Sequence, residues 1–224
     1  MDLREIAVII PAYNAEKTIG GVIEKLIQCG FGKKNIIVVN DGSTDSTGDI
    51  AGKYGVALVE HEVNRGKGAA LKSGIAHAWK ENLGKALVVD ADGQHNVSEA
   101  MGFLKMNGKY DITIGERRDI LRRMPLDRRL TNKVVNLVVS LLSGVRTADV
   151  QCGFRYIDLR IFERIQLQTN RYETESEMVI KAAQRKYRIG FVPVSTIYDN
   201  ERSHIDPLVD TMRFINMAVR LLWH

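Results

Sequence analysis

Cysteine is scarce: Cys29 and Cys152 are the only two in 224 residues, and neither belongs to a Cys-x-x-Cys pair. That count excludes a disulfide framework and a cysteine-ligated zinc site, and it suits a reducing compartment. Long apolar runs are also missing. No stretch reaches the roughly 18 apolar residues that crossing a bilayer requires. The opening MDLREIAVII carries an acid and only a short apolar run, which does not read as a signal peptide. A cytoplasmic protein is expected, with attachment to the cytoplasmic face of a membrane left open. Internal repeats, low-complexity stretches and linkers are absent too. Residues 1–202 are therefore read as one domain, with 203–224 as a C-terminal amphipathic helix.

What is present is an alternation of short apolar runs and helical patterns. Residues 6–10, 35–40, 57–60, 86–89 and 110–114 read as strands, the first two as continuous apolar runs of the kind buried on both faces. Helices are expected over 15–28, 44–54 and 67–79, with another starting at Ser98. Repeated β-α-β units of this length imply an α/β fold with a mainly parallel central sheet flanked by helices. Ligands of such sheets sit at the carboxyl ends of the strands. The polar clusters fall there: Pro11-Ala12-Tyr13-Asn14, Asn40-Asp41-Gly42-Ser43, Asp90-Ala91-Asp92 and Gly115-Glu116-Arg117. Further on, 130–142 reads as an apolar helix, 149–155 as a segment leading into a helix, 172–185 as a helix and 188–194 as a last strand. Residues 207–223 form a helix with Leu208, Met212, Ile215, Val219 and Leu222 on one stripe. That stripe either packs on the domain or lies in a membrane interface with Trp223 near the headgroups.

Three constellations carry chemistry. Asp90-Ala91-Asp92-Gly93-Gln94 puts two carboxylates and an amide at a strand end, hard oxygen donors that suit Mg²⁺ or Mn²⁺ together with substrate phosphates. A polar turn with a helix cap is the alternative. In Asn40-Asp41-Gly42-Ser43-Thr44-Asp45, Asp41 is placed to accept from a nucleobase edge, while Ser43 and Asp45 fit helix capping. Asn64-Arg65-Gly66-Lys67-Gly68 opens a helix with free N–H groups and two cations, which favours an anion. A purely structural turn explains it equally well, and the Walker pattern is absent.

Together with Ile9-Ile10-Pro11-Ala12-Tyr13-Asn14, Asp90-Ala91-Asp92-Gly93-Gln94-His95 and Gln151-Cys152-Gly153-Phe154-Arg155, these pieces resemble the family 2 glycosyltransferases of GT-A fold. Order and spacing match over roughly residues 5–200, and the dolichyl-phosphate mannosyltransferase-like branch is the nearest likeness. The resemblance implies inverting transfer of a hexose from a GDP- or UDP-linked donor to a polyprenyl or dolichyl phosphate, or else to a glycan or small-molecule hydroxyl. It implies that Pro11, Tyr13 and Asp41 hold the nucleobase, with Asn14, Lys67 and Ala91 also in the donor-binding set. Asp90 would support the ribose or the metal site, and Asp92 and Gln94 would bind the Mg²⁺ or Mn²⁺ that bridges the diphosphate. Arg117 and Arg128 would face phosphates, since a guanidinium matches their oxygens.

Two positions depart from the family pattern: Ala15 stands where Glu is common, and Asn40 where the first Asp of Asp-Asp-Gly-Ser is usual. Glu201-Arg202-Ser203-His204 stands where lipid-linked members carry Gly-x-Ser-Lys, with Arg202 and His204 as candidate phosphate ligands. A hydroxyl acceptor needs a base, for which Asp149, Glu173, Glu175 and Glu177 are the candidates; a lipid phosphate needs none. His61 and His77 read as packing or surface residues. Residues 117–133 hold seven basic side chains against Asp119 and Asp127, which points to phosphate rather than nucleic acid, since interleaved aromatics are lacking. A non-catalytic sugar-nucleotide binder and a nucleotidyltransferase are the readings from other classes. The second would carry a glycine-rich loop where Pro11-Ala12-Tyr13-Asn14 stands.

Overall fold

The structure, a computed structural model, describes residues 3–117, 126–147, 149–195, 197 and 207–223. Strands β1 (Ile6–Ala12) and β2 (Ile36–Asp41) are buried at every position, as expected of central parallel strands with no polar face to show. With β3 (Ala57–His61), β4 (Lys85–Val88), β5 (Ile112–Arg117), β6 (Arg155–Asp158) and β7 (Ile189–Val194) they form a seven-stranded sheet, order β3-β2-β1-β4-β6-β5-β7. Every pairing is parallel except those of β6, which runs antiparallel to both β4 and β5. The α/β architecture with a mainly parallel sheet agrees with the reading from sequence.

Helices α1 (Ile19–Gln28), α2 (Thr47–Lys53), α3 (Lys67–Lys80) and α4 (Ala100–Leu104) connect the first strands. The first two are shorter than the periodicity predicts. Residues 15–18 form a hydrogen-bonded turn before α1, and Asp45 receives the Thr47 N–H at the start of α2. α5 (Leu126–Ser143), α6 (Glu173–Gln184) and α7 (Pro207–Leu222) follow, with α6 packed against both α5 and α7.

Strand β6 corrects the sequence reading, which runs that segment into a helix. Its four residues, Arg-Tyr-Ile-Asp, have no apolar alternation to announce a strand. It nonetheless lies between two other strands, and the Arg155 side chain is 1% exposed.

For the C-terminal helix the sequence leaves two placements of the stripe open. Met212, Ile215, Val219 and Leu222 form the stripe expected from sequence, but they face outward. Phe214, Met217 and Ala218 are the buried residues that seat α7 on the domain. α5 repeats the pattern: Val135 and Val139 are buried, whereas Leu130, Val134, Leu137 and Leu141 are exposed. Packing and surface exposure are therefore not alternatives here, because each helix has an apolar stripe for both. The Leu208 side chain lies outside the described residues.

Candidate functional site

Topology collects the polar clusters at one edge of the sheet. Parallel strands β1, β2, β4 and β5 end there, and antiparallel β6 begins there. At its centre lies Asp90, just past β4. One carboxylate oxygen is 2.6 Å from the Lys67 ammonium and the other 3.1 Å from His95 Nε2. Lys67, in the first turn of α3, reaches Glu175 of α6 with its second contact, 2.8 Å. Asp90 is held ionised: burial opposes its charge, but the Lys67 ammonium and His95 bring its pKa well below the usual carboxylate range. Lys67 itself is pushed upward, burial being outweighed by Asp90 and then Glu175.

The network continues inward. Arg155 donates from Nε to the Cys152 carbonyl (2.9 Å), from Nη1 to the Glu175 carbonyl (3.0 Å) and from Nη2 to the Val150 carbonyl. One buried guanidinium thus pins the 150–152 turn and the start of α6. Gly153 follows from the same crowding, since a Cβ there would stand 2.2 Å from the Asp90 carboxylate. Cys152 is fully buried, and burial pushes its thiol up to about 12, so it is chemically inert.

Asp92 differs from Asp90. It accepts the Gln94 N–H at 2.9 Å, and no cationic side chain pairs with it among the described residues. Burial and then the charge of Asp90 raise its pKa. A partly desolvated carboxylate facing another carboxylate, with an amide side chain two residues on, is a site short of positive charge. Those hard oxygen donors fit a divalent cation that keeps water and phosphate oxygens as its other ligands. No group of three His, Cys, Asp or Glu side chains converges on a metal position among the described residues. Such a cation would be held openly, not caged.

Several sequence expectations are redirected. The Asn64–Gly68 turn does attract an anion, but the anion is Asp41. Its carboxylate accepts from Arg65 N (3.0 Å), Gly66 N (2.7 Å) and His61 Nδ1 (2.6 Å), and Asp41 is only 2% exposed. The protein itself therefore takes up most of the acceptor capacity expected to meet a nucleobase. Gly66 has φ +100°, and a Cβ there would lie 2.6 Å from the Asn170 carbonyl oxygen, so this turn requires glycine. Lys67 is likewise committed to Asp90 and Glu175 rather than free for a donor phosphate. His61, assigned nothing from sequence, bridges Asp41 to Ser73 Oγ (2.8 Å). Its signal was available, since β2 and β3 pair in a register that sets Asp41 beside His61.

The β1 end behaves as a preorganised rim. Asn14 has a positive φ of 49°; its N–H donates to Ser43 Oγ (3.0 Å) and its side-chain oxygen accepts from Thr44 N (2.9 Å). Pro11 and Ala91 are buried beside this rim, and Tyr13 is exposed there. At the β5 end, Arg117 makes a bidentate pair with Asp149, Nε–Oδ2 2.6 Å and Nη2–Oδ1 2.8 Å. Asp149 is thereby removed as a free base and becomes the holder of Arg117. The Arg128 side chain lies outside the described residues, as do Arg202 and His204.

Glu177 is not a base either. Its carboxylate, 1% exposed, accepts from Gln168 N (2.9 Å), Thr169 N (2.9 Å) and Thr169 Oγ1 (2.6 Å), and Lys181 Nζ lies 2.6 Å away. It clamps the loop that α3 holds from the other side through Lys72, whose ammonium donates to the Thr169 carbonyl at 2.8 Å. Burial opposes the Glu177 charge, but Lys181 and the Thr169 hydroxyl win and depress its pKa. A depressed folded pKa gives stability that is present above the ordinary value of 4.5 and lost as pH falls through the folded value. Glu177→Gln is expected to lower unfolding free energy by about 2 kcal/mol at pH 7, because loop N–H donors lose a charged acceptor. The deficit should shrink toward zero in acid, once pH falls through the depressed pKa of the wild-type carboxylate. Urea unfolding at neutral and at acid pH checks this, and a deficit independent of pH would refute the charged clamp.

An open α/β sheet with an acidic strand-end site facing basic groups is the architecture of the nucleotide-diphospho-sugar transferases. The chain belongs to glycosyl transferase family 2, whose model matches residues 7–171, and it is a glycosyltransferase. An uncharacterized protein of Methanocaldococcus jannaschii is 38% identical, covering 87% of this chain and 82% of its own. The UDP-N-acetylglucosamine–dolichyl-phosphate N-acetylglucosaminyltransferase of Methanococcus voltae is 33% identical over 86% of each chain. Among solved structures, glucosyl-3-phosphoglycerate synthase of Mycobacterium tuberculosis matches with a TM-score of 0.78 at 21% identity, covering 97% of this chain and 80% of that one. That protein has also been solved with Mn²⁺, uridine diphosphate and phosphoglyceric acid. The fold is GT-A, in agreement with the resemblance read from sequence.

Proposed function

We propose that this glycosyltransferase moves a hexose from a nucleoside diphosphate sugar to a polyprenyl phosphate of the dolichyl type, with inversion, at a membrane face. The carrying observation is the commitment of the carboxylates. Asp149 is paired with Arg117, Glu175 with Lys67, and Glu177 with its loop. Glu173, the fourth candidate, lines a separate cleft that none of residues 90–94 enters, so none of the four stands free at the site to serve a hydroxyl acceptor. A phosphate monoester is already an anionic nucleophile. Its oxygen forms the new bond to the sugar C1 as the bond from C1 to the diphosphate breaks, and no proton has to move. The name of the Methanococcus voltae relative supports this acceptor, and so do the apolar stripes that α5 and α7 leave exposed.

Asp92 and the Gln94 side chain would hold Mg²⁺ or Mn²⁺, and when bound the cation neutralises charge developing on the departing diphosphate. The Mn²⁺ and uridine diphosphate complex of the mycobacterial synthase supports the use of a divalent cation. Asp90, fixed by Lys67 and His95, sets the position of the Asp92 turn. Pro11, Tyr13 and Asn14 line the donor side, and Arg117, held by Asp149, presents its remaining N–H donors to phosphate. No helix among the described residues is long and apolar enough to cross a membrane, so contact would be made by surface helices.

Radiolabelled GDP- and UDP-sugars, incubated with Mn²⁺ and a short polyprenyl phosphate, test the reading. One donor is expected to carry label into the organic phase. A donor that binds or is hydrolysed without labelling lipid would move the acceptor to a hydroxyl, and binding of no sugar nucleotide would remove the donor class.

A further inference from the structure

A cleft of 330 Å³ lies between α7, the 168–171 loop and the start of α6, and none of residues 90–94 lines it. Arg171, Arg213 and Arg220 line it, over an apolar patch formed by Met217 and Leu221. Two of these cations, Arg171 and Arg220, have no hydrogen bond or ion pair among the described residues. Arg213 is paired with Asp210 at 3.0 Å. The wall also carries Glu173, whose Oε2 is buried and has no hydrogen-bond partner. Glu177, the other acid in the wall, is neutralised by Lys181. The Lys72 ammonium, bound to the Thr169 carbonyl and the Asn170 side chain behind the cleft wall, acts on both Glu173 and Glu177, so Arg171 and Arg220 leave the cleft with net positive charge. It therefore asks for an anion that also brings a donor for Glu173.

The surroundings say where that ligand resides. Arg213 and Arg220 share α7 with the exposed stripe of Met212, Ile215, Val219 and Leu222, and Trp223 just beyond is 84% exposed. Seating that stripe among acyl chains sets the cleft at headgroup depth. We infer that the cleft binds the headgroup of an anionic phospholipid, a phosphodiester bearing free hydroxyls such as phosphatidylglycerol. Its phosphate lies between Arg171 and Arg220, and a headgroup hydroxyl donates to the Glu173 carboxylate. A headgroup with an ammonium satisfies Glu173 but is neutral overall, so it leaves the charge of the cleft unmet. This inference rests on the membrane-face part of the proposed function, and it adds a lipid site lined by none of the residues assigned above to donor or acceptor.

Flotation of the full chain with phosphatidylcholine vesicles, with and without phosphatidylglycerol, tests it. Wild type is expected to prefer the phosphatidylglycerol vesicles. Arg171→Gln/Arg220→Gln should weaken that binding about thirtyfold, each arginine contributing at the scale known for basic groups at anionic membranes. Arg164→Gln/Arg185→Gln removes equal charge from exposed positions outside the cleft and should cost less than about threefold. Glycerophosphoglycerol, the soluble phosphodiester of that headgroup, at millimolar concentration should reduce wild-type binding and leave the cleft variant unaffected. Equal losses in the two double variants, or no preference for phosphatidylglycerol while vesicle binding persists, overturn the cleft and leave the membrane reading standing. Absence of binding to either vesicle overturns both. Should the double variant melt below wild type, Arg220→Gln alone, exposed on α7, carries the same comparison with a loss of about fivefold.

Discussion

Lys67→Met is expected to lower the unfolding free energy by about 3 kcal/mol, the lower end of the range for breaking a buried ion pair. The ammonium stands 2.6 Å from Asp90 and 2.8 Å from Glu175, so its removal leaves two carboxylates facing each other. The upper end is not reached, because each acid keeps a second partner. Asp90 retains His95 at 3.1 Å, and Glu175 retains Arg155 at 3.7 Å. Partial exposure of the Lys67 and Asp90 side chains, 19% and 21%, also lets water in. Urea unfolding measures the loss, and Lys67→Met/Glu175→Gln should recover at least half of it by removing one of the stranded charges. A loss below about 1 kcal/mol would place these contacts with solvated surface pairs. Activity should fall together with stability, since Asp90 would no longer be fixed.

How far the sequence discloses all this depends on whether a feature is local. Strands β1 and β2 are legible because residues buried on both faces must be apolar, and their runs of Ile and Val say so. The polar strand ends are legible for the complementary reason: side chains at the open edge of such a sheet have no core to join. Asp90 and Asp92 look alike in the chain, yet one is charge-compensated and the other is not. That difference is made by Lys67 and His95, and in the case of Lys67 it depends on α3 meeting α6. Likewise Asp41 reads as an exposed acceptor at a strand end until the 64–66 turn folds over it. β6 is hidden because its burial is secured by Arg155, a residue that in a linear reading argues for the surface. For α7, periodicity shows an amphipathic helix, but with two apolar stripes it cannot say which one the domain covers.

Asp92 offers the sharpest separation of function from stability. On the proposed reading, Asp92→Asn should lower the transfer rate roughly a thousandfold, about 4 kcal/mol, the scale of losing one preorganised electrostatic contributor to developing charge. The amide keeps the oxygen that accepts the Gln94 N–H, so the turn should hold its shape. Stability should move the other way. Burial and the neighbouring Asp90 charge raise the Asp92 pKa in the folded protein. A carboxylate with a raised folded pKa destabilises the fold above that value, and the penalty vanishes below the ordinary 3.8. Removing the charge therefore gives equal or higher stability at pH 7, as expected where a strained charge is kept for function. Thermal melts with and without Mn²⁺ provide the second readout: the cation should raise the melting temperature of wild type and leave the variant unmoved. A variant that keeps Mn²⁺-dependent transfer within tenfold of wild type would refute the assignment. So would one that melts lower than wild type in the absence of metal, because the Asp92 charge would then be serving the fold, as that of Asp90 does, and not a substrate.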